Sequence, residues 1–247
     1  MYKFWRIFSM DLLNLFTNPM WLAYATAFPI ALVLILGFLG SGGAGPEVTS
    51  YDYFGVTMMI YGAFNVATYS ANCFMEERIK GPNMRIVYSP VRPWHIHFSK
   101  TLATSVFCGV TYLAVAVFLH FAVGVNYGGA NCWALAVVAL LSIFFFSALG
   151  VMVCCLLKSE SGANNIVSLL IGVFAVLGGI FFPIDALGKA VSAVSWISPA
   201  KWLLTVCLRI IYDGDFSAFL PACAAFALLS ALFVLLSSKL FRGEDYI

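Results

Sequence analysis

The sequence predicts an all-α membrane protein with six transmembrane helices, and two observations lead to this prediction. Hydrophobic residues make up 62% of the 247-residue chain and charged residues only 10%, whereas soluble domains carry roughly 25% charged residues. The apolar residues also gather in runs of about 20, the length of a helix that crosses a hydrocarbon core. A soluble fold of this length could not bury so much apolar side chain, so we expect the bilayer to solvate it.

One transmembrane domain, residues 1–247, is predicted, and it begins with an amphipathic stretch. Residues 1–18 mix apolar and charged side chains, which is too polar for a span and suits a helix in the membrane interface. Between the last two spans, residues 183–217 are rich in apolar side chains interrupted by prolines, so short re-entrant helices are expected there. The six predicted spans are residues 20–40, 53–74, 100–125, 132–157, 164–182 and 218–240.

The distribution of lysine and arginine predicts the side of the membrane on which each loop lies. With a cytoplasmic N-terminus, ten basic residues are inside and only Lys189, Lys201 and Arg209 are outside. The opposite orientation would reverse the usual excess of positive charge in cytoplasmic loops, so both termini are predicted to be cytoplasmic. We expect a multi-pass membrane protein, with residues 75–99 as its most basic cytoplasmic loop.

Ionisable side chains are almost absent from the predicted spans. His120, near the outer end of the third span, is the main exception, either as an interface or helix-bonding histidine or as a substrate or proton site. Ion-coupled carriers usually bind their ion in the bundle interior through such groups. We therefore expect another protein to supply the free energy for any transport.

No catalytic or metal-binding constellation is present, so we expect a non-catalytic chain that holds no cofactor of its own. The seven cysteines include no C-x-x-C pair, and His95 with His97 alone does not make a zinc site. Gly188 and Lys189 are followed by Ala190, where a phosphate-binding loop needs Ser or Thr, so the chain lacks a P-loop for ATP. The few basic residues give no nucleic-acid signature.

Two ordered motifs resemble the permeases of ABC-2 type transporters. The first comprises Glu76-Glu77-Arg78, Lys80-Gly81 and Tyr88-Ser89-Pro90-Val91 ahead of Lys100, and the second comprises Gly178-Gly179-Ile180-Phe181-Phe182-Pro183 and Trp196-Ile197-Ser198-Pro199. The spans, the N-terminal helix and the outer segment fit the same fold, that of ABC-2 or type V exporters, over nearly the whole chain. Gly81-Pro82-Asn83 departs from the pattern, because the family more often has Gly-Thr and an acidic residue there.

The resemblance implies the membrane subunit of an ABC exporter. Two such permease subunits, identical or paralogous, would pair among membrane lipids, and a separate ABC ATPase in two copies would bind ATP and magnesium. The ATPase would dock on the loop after the second span, where the basic residues could instead pair with lipid phosphates. The coupling residues predicted in this way are Glu76, Glu77, Arg78, Lys80, Arg85, Tyr88, Ser89 and Pro90.

Polar and aromatic side chains of the second and fifth spans are the candidates for a substrate path. They are Asn65, Thr68, Tyr69, Asn72, Asn164, Asn165, Phe181 and Phe182. Hydrogen bonding between helices and core packing are the more frequent reasons for such residues. The resemblance implies outward movement of an amphiphile such as a drug, antimicrobial peptide, lipid or glycan. A sensor or immunity subunit coupled to an ATPase without bulk transport, and a secondary carrier, are the alternatives.

Overall fold

The structure is a computed structural model that describes residues 2–40, 49–75, 93–182 and 193–241. These ranges are helical and contain no strand, which confirms the all-α membrane fold class. A 3₁₀ turn (Gly129–Asn131) precedes the sixth helix, and a π-helical turn (Arg209–Asp213) follows the eighth. The helices are α1 (Tyr2–Thr17), α2 (Pro19–Ala25), α3 (Ala27–Gly40), α4 (Ser50–Met75), α5 (Pro93–Val123), α6 (Cys132–Leu157), α7 (Glu160–Gly178), α8 (Pro199–Leu208) and α9 (Phe219–Leu240).

Within the described ranges, five helical stretches are long and apolar enough to cross a membrane. α4 lies at the second predicted span but is more polar than these five. Its 26 residues extend about 39 Å at 1.5 Å per residue, which exceeds the hydrocarbon core. The five apolar stretches are Pro19–Gly40, Trp94–Val123, Gly129–Leu157, Ser161–Gly178 and Phe219–Leu240.

The first apolar stretch is bent at Thr26, between α2 and α3. The bend follows from Pro29, whose missing N–H and bulky ring are incompatible with a hydrogen bond to the carbonyl of Ala25 in a continuous helix. At the bend, the Thr26 hydroxyl and the Thr26 N–H both donate to the Leu22 carbonyl (2.7 and 3.0 Å). Residues of α2, α3 and α4 line a common cavity beside this bend.

α4 is the central helix, with α3, α5, α6, α7 and α8 packed around it. Its closest approach is to α6, where a Cβ added to Gly150 would lie 2.1 Å from the Ala67 carbonyl oxygen. Nearby, the Ser147 hydroxyl lies 3.1 Å from that of Ser70 and donates to the Thr101 carbonyl (2.9 Å). Small side chains thus bring the backbones of α4, α5 and α6 together, as is usual in membrane bundles.

α1 lies along the first half of α5. Phe4 contacts the rings of Trp94 and Phe98 (centroid distances 6.3 and 5.9 Å), and Phe16 contacts Phe107 (4.9 Å). The contacts advance in the same direction on both helices, so α1 and this part of α5 run parallel. The opposite face of α1 exposes large apolar side chains, which suits the membrane interface.

α8 covers one end of α7. The Ser198 hydroxyl accepts a hydrogen bond from Ala200 N (3.2 Å) and donates to the Phe174 carbonyl (2.7 Å), so it caps α8 and ties it to α7. Gly178 permits this contact, because an added Cβ would lie 2.3 Å from that of Ala200. In the later part of the predicted outer segment, the short helix α8 thus packs on the bundle. Residues 183–192 lie outside the described ranges.

Candidate coupling node and membrane cavity

The residues predicted to dock an ATPase lie outside the described ranges of the structure, but the helix ends that flank them are described. α4 ends at Met75, and α5 begins at Pro93, ahead of the predicted start of the third span at residue 100. The candidate coupling site is therefore built here from these two ends. The predicted residues concerned are Glu76, Glu77, Arg78, Lys80, Arg85, Tyr88, Ser89 and Pro90.

Lys100 joins three helices at this end of the bundle. Its side chain is fully buried, and Nζ donates to Asp11 Oδ1 on α1 (2.9 Å) and to the Cys73 carbonyl on α4 (3.1 Å). That carbonyl is one of the last four of α4, which have no partner within their own helix. We call the Lys100 ammonium, the Asp11 carboxylate and the Cys73 carbonyl the coupling node.

The hydrogen bonds of the coupling node allow the charged ammonium of Lys100 to be buried. An unpaired ammonium in an apolar interior is strongly unfavourable, whereas a paired and hydrogen-bonded one is tolerated. The Asp11 Oδ2 atom has no hydrogen-bond partner among the described residues. One ammonium therefore joins the end of α4, the first part of α5 and α1.

Apolar and aromatic side chains surround the same end of the bundle. Phe74 contacts Phe241 (5.5 Å between ring centroids), and the buried His97 ring lies 6.3 Å from Phe241. Neither ring nitrogen of His97 has a hydrogen-bond partner in the described part of the chain. No cluster of three or more potential metal ligands occurs among the described residues, so His95 and His97 form no such site there.

A cavity of about 320 Å³ opens on the side of the bundle between α2, α3, α4 and α5. Met20, Tyr24 and Phe28 form its exposed mouth, whereas Met58 and Tyr112 are buried at its floor. None of its lining residues is Asp, Glu, Lys, Arg or His. Six aromatic side chains line it, namely Trp21, Tyr24, Phe28, Tyr61, Tyr69 and Tyr112.

Gly62 allows the aromatic floor of the cavity to form. The Tyr112 hydroxyl donates to the Gly62 carbonyl (2.9 Å), and a Cβ on Gly62 would lie 3.0 Å from the Tyr112 ring. At the side, Trp21 and Tyr69 contact each other edge to face at 5.4 Å. The floor and side of the cavity are thus assembled from the first, second and third spans.

The polar atoms of the cavity are neutral. Asn65 Nδ2 donates to the Tyr61 carbonyl (2.8 Å), and Asn65 Oδ1 accepts no hydrogen bond from the described residues. Thr68 Oγ1 is buried and has no partner within the described ranges.

The predicted path residues of α4 and α7 fall in two places. Asn65, Thr68 and Tyr69 line the cavity. Asn72 instead accepts a hydrogen bond from Asn164 Nδ2, which joins α4 to α7. Asn165 is exposed on α7. The α7 asparagines thus lie outside the cavity, and contact of any of these residues with a substrate stays a prediction.

The two predicted gate phenylalanines also lie outside the cavity lining. Phe181 contacts the ring of Tyr61 edge to face (5.5 Å between centroids), and Tyr61 does line the cavity. Phe182 is 40% exposed. Phe181 therefore packs behind the cavity wall, and a gating role for either residue stays a prediction.

Asp52 organises the opposite end of α4. Asp52 N donates to Thr49 Oγ1 (3.1 Å) and Thr49 N to Asp52 Oδ2 (3.2 Å), a capping box. Asp52 Oδ1 accepts from Asn126 N (2.6 Å) in the loop after α5. Burial, with a contribution from this carboxylate, raises the pKa of Tyr127 and raises that of Tyr212 to about 12. Asp52 thus ties the start of α4 to the loop after α5.

His120 and the cysteines are explained by local structure. His120 Nδ1 donates to the Val125 carbonyl (2.9 Å), just beyond the end of its own helix. This hydrogen bond gives His120 a structural role at the end of α5. The seven cysteines all lie among the described residues and form no disulfide.

Sequence reasoning missed the partner of Lys100 and the aromatic residues that α2 and α5 bring to the cavity. A signal for Asp11 existed, because Ile7, Asp11 and Leu15 recur every four residues and share the buried face of α1. The spacing of Trp21 and Tyr112 carries no comparable signal, since they lie on different helices.

The fold and the lateral cavity define a helical membrane protein with several spans. The family model of the ABC-2 type transporters matches residues 2–212, and the chain belongs to this family. It is accordingly a permease subunit of an ABC transporter, in a family that generally works with an ABC ATPase subunit. Comparison with curated proteins gives no significant match.

Proposed function

We propose that this permease subunit belongs to an exporter that moves an amphiphile, such as a drug, antimicrobial peptide, lipid or glycan, out of a bacterial cell. The observation that carries the proposal is the lateral cavity, whose mouth is formed by exposed Met20, Tyr24 and Phe28. An amphiphile can reach such a mouth from the bilayer. Because no Asp, Glu, Lys, Arg or His lines the cavity, it lacks the side chains that usually bind a coupling ion.

The proposed energy source is a separate ABC ATPase, present in two copies beneath two permease subunits. This chain would hydrolyse no ATP and bind no cofactor, since ATP and magnesium would sit on the ATPase. Both termini would be cytoplasmic, in a bacterial cytoplasmic membrane. Docking at residues 76–90 is supported by the coupling node, because the helices on both sides of that segment meet at Lys100.

Two other functions would use the same fold. A sensor or immunity subunit would respond to an amphiphile in the cavity without moving it across the membrane. A secondary carrier would need an ion site, and the buried charges at Lys100, Asp11 and Asp52 are already engaged in hydrogen bonds between chain segments. The family generally works with an ABC ATPase subunit, which supports the ATPase-driven functions over the carrier.

Reconstitution distinguishes these functions. We expect proteoliposomes that contain this chain and the ABC ATPase that co-purifies with it to move a hydrophobic dye or peptide only when ATP is supplied. The control is the same complex with an ATPase that cannot hydrolyse ATP. Amphiphile-stimulated hydrolysis without movement would indicate the sensor, and movement driven by an ion gradient alone would indicate the carrier.

Charge reversal in the predicted docking segment tests the ATPase contact. We expect Lys80→Glu with Arg85→Glu to reduce co-purification of the ATPase about tenfold or more, because like charges would then face each other across the contact. Lys239→Glu is the matched control, since Lys239 is exposed at the end of α9 on the same predicted side. Unchanged association of the double variant would argue that these residues face lipid phosphates instead.

A further inference from the structure

We infer that the lateral cavity recognises a lipophilic organic cation, which its aromatic side chains hold without help from a carboxylate. This inference rests on the proposed function, because the cation would be a substrate of the exporter. It names a chemical class, a bulky onium ion with apolar substituents, and a place, the space between α2, α3, α4 and α5.

The first argument is the composition of the lining. Half of the twelve lining residues are aromatic, and they come from four different helices. Aromatic faces carry negative partial charge and attract cations, most strongly where water is excluded. Tyr69 and Tyr112 are buried, at 7% and 3% exposed, so the deep part of the cavity is such a place.

The second argument is charge. The lining has no basic side chain to receive an anion and no carboxylate to bind a small, strongly hydrated cation. The Asn65 side-chain oxygen, which is neutral, accepts no hydrogen bond from the described residues. An onium ion is weakly hydrated and donates no strong hydrogen bond, so aromatic faces and neutral oxygens suffice for it.

The third argument is access. Tyr24 and Phe28 are 48% and 44% exposed at the mouth, on the outward face of the first span. Tyr69 lies six residues before the end of α4 at Met75, which is about 9 Å along the helix axis. The α4 residues that line the cavity run from Met58 to Tyr69, so the cavity extends from the side of the coupling node to the middle of α4.

The test measures equilibrium binding to the purified chain in nanodiscs of phosphatidylglycerol and phosphatidylethanolamine. The probes are radiolabelled tetraphenylphosphonium and its anionic counterpart of matched shape, tetraphenylborate, each corrected for empty nanodiscs. We expect saturable binding of the phosphonium that the borate does not compete away. Equal binding of the two ions, or no saturable phosphonium binding, would overturn the inference.

Variants at the mouth locate the binding site. Tyr24→Leu removes an exposed ring with little risk to folding, and we expect it to weaken phosphonium binding about 3- to 10-fold. Tyr24→Phe retains the ring and is expected to bind within twofold of the parent chain. The inference fails if Tyr24→Leu and Trp21→Leu, both folded by size-exclusion chromatography, bind as the parent does.

Two further measurements distinguish this inference from binding of a lipid headgroup and from the proposed export function. Adding phosphatidylcholine to the nanodiscs asks whether a lipid headgroup is the cation, because a choline headgroup that occupies the cavity would displace the phosphonium. The proteoliposome assay is independent of these measurements. Phosphonium binding without any ATP-driven movement would defeat the exporter and leave the cation site standing, whereas export without charge-selective binding would do the reverse.

Discussion

Replacing Lys100 by methionine is expected to destabilise the folded chain by about 3 kcal/mol, the lower end of the range for breaking a buried ion pair. The lower end applies because the Asp11 side chain keeps 11% exposure and can recover some hydration. The Cys73 carbonyl also loses its hydrogen bond. For a chain of this length, thermal unfolding in detergent should show a midpoint lowered by about 10 °C.

The matched variants decide whether the pair or only the lysine matters. Lys100→Met combined with Asp11→Leu should be more stable than Lys100→Met alone, because no uncompensated charge remains buried. Lys239→Met, at an exposed lysine, should change stability by less than about 0.5 kcal/mol. Strict additivity of the two single substitutions would show that Lys100 and Asp11 do not interact as the geometry requires.

The double variant Lys100→Met with Asp11→Leu also distinguishes a role of the coupling node in stability from a role in transmitting movement from the ATPase. Its apolar side chains can fill the space between α1 and α5 but cannot replace the hydrogen bond to the end of α4. If the coupling node transmits movement from the ATPase, the stable double variant should hydrolyse more ATP for each substrate molecule moved. A ratio equal to that of the parent chain would assign the node to folding alone.

The fold class was predictable because the bilayer imposes a length on its helices. Runs of about 20 apolar residues have few alternatives in a chain with 10% charged residues. α4 was predictable as a long helix even though its polar side chains lower its hydropathy. The bend at Thr26 was less evident, because Pro29 lies inside an uninterrupted apolar run and proline also occurs in straight transmembrane helices.

The candidate site was predictable only in part, because its contacts join distant segments. Asn65, Thr68 and Tyr69 share one face of α4 by helical spacing, and all three line the cavity. Their neighbour on the same face, Asn72, is used to bind α7 instead. Periodicity identifies a face but not its partner, so the ion pair between residues 11 and 100 could not be derived from it.

Introducing a methyl group at Gly150 is expected to be the most damaging small substitution in the described bundle. The added Cβ would lie 2.1 Å from the Ala67 carbonyl oxygen and 2.8 Å from its carbon. Backbone atoms cannot rotate away as a side chain does, so α4 and α6 must separate. We expect Gly150→Ala to cost about 3 kcal/mol or more, the upper end for overpacking, with a clear loss of folded protein in size-exclusion chromatography.

Gly172→Ala is the control, because the same methyl group on α7 meets nothing within 4 Å. Alanine favours a helix over glycine by up to about 1 kcal/mol, so this variant should be neutral or slightly more stable. Opposite outcomes for one chemical change would show that the space between α4 and α6, rather than helix propensity, sets the effect. If Gly150→Ala unfolds at the same temperature as Gly172→Ala, the two backbones do not approach as closely as the structure has them.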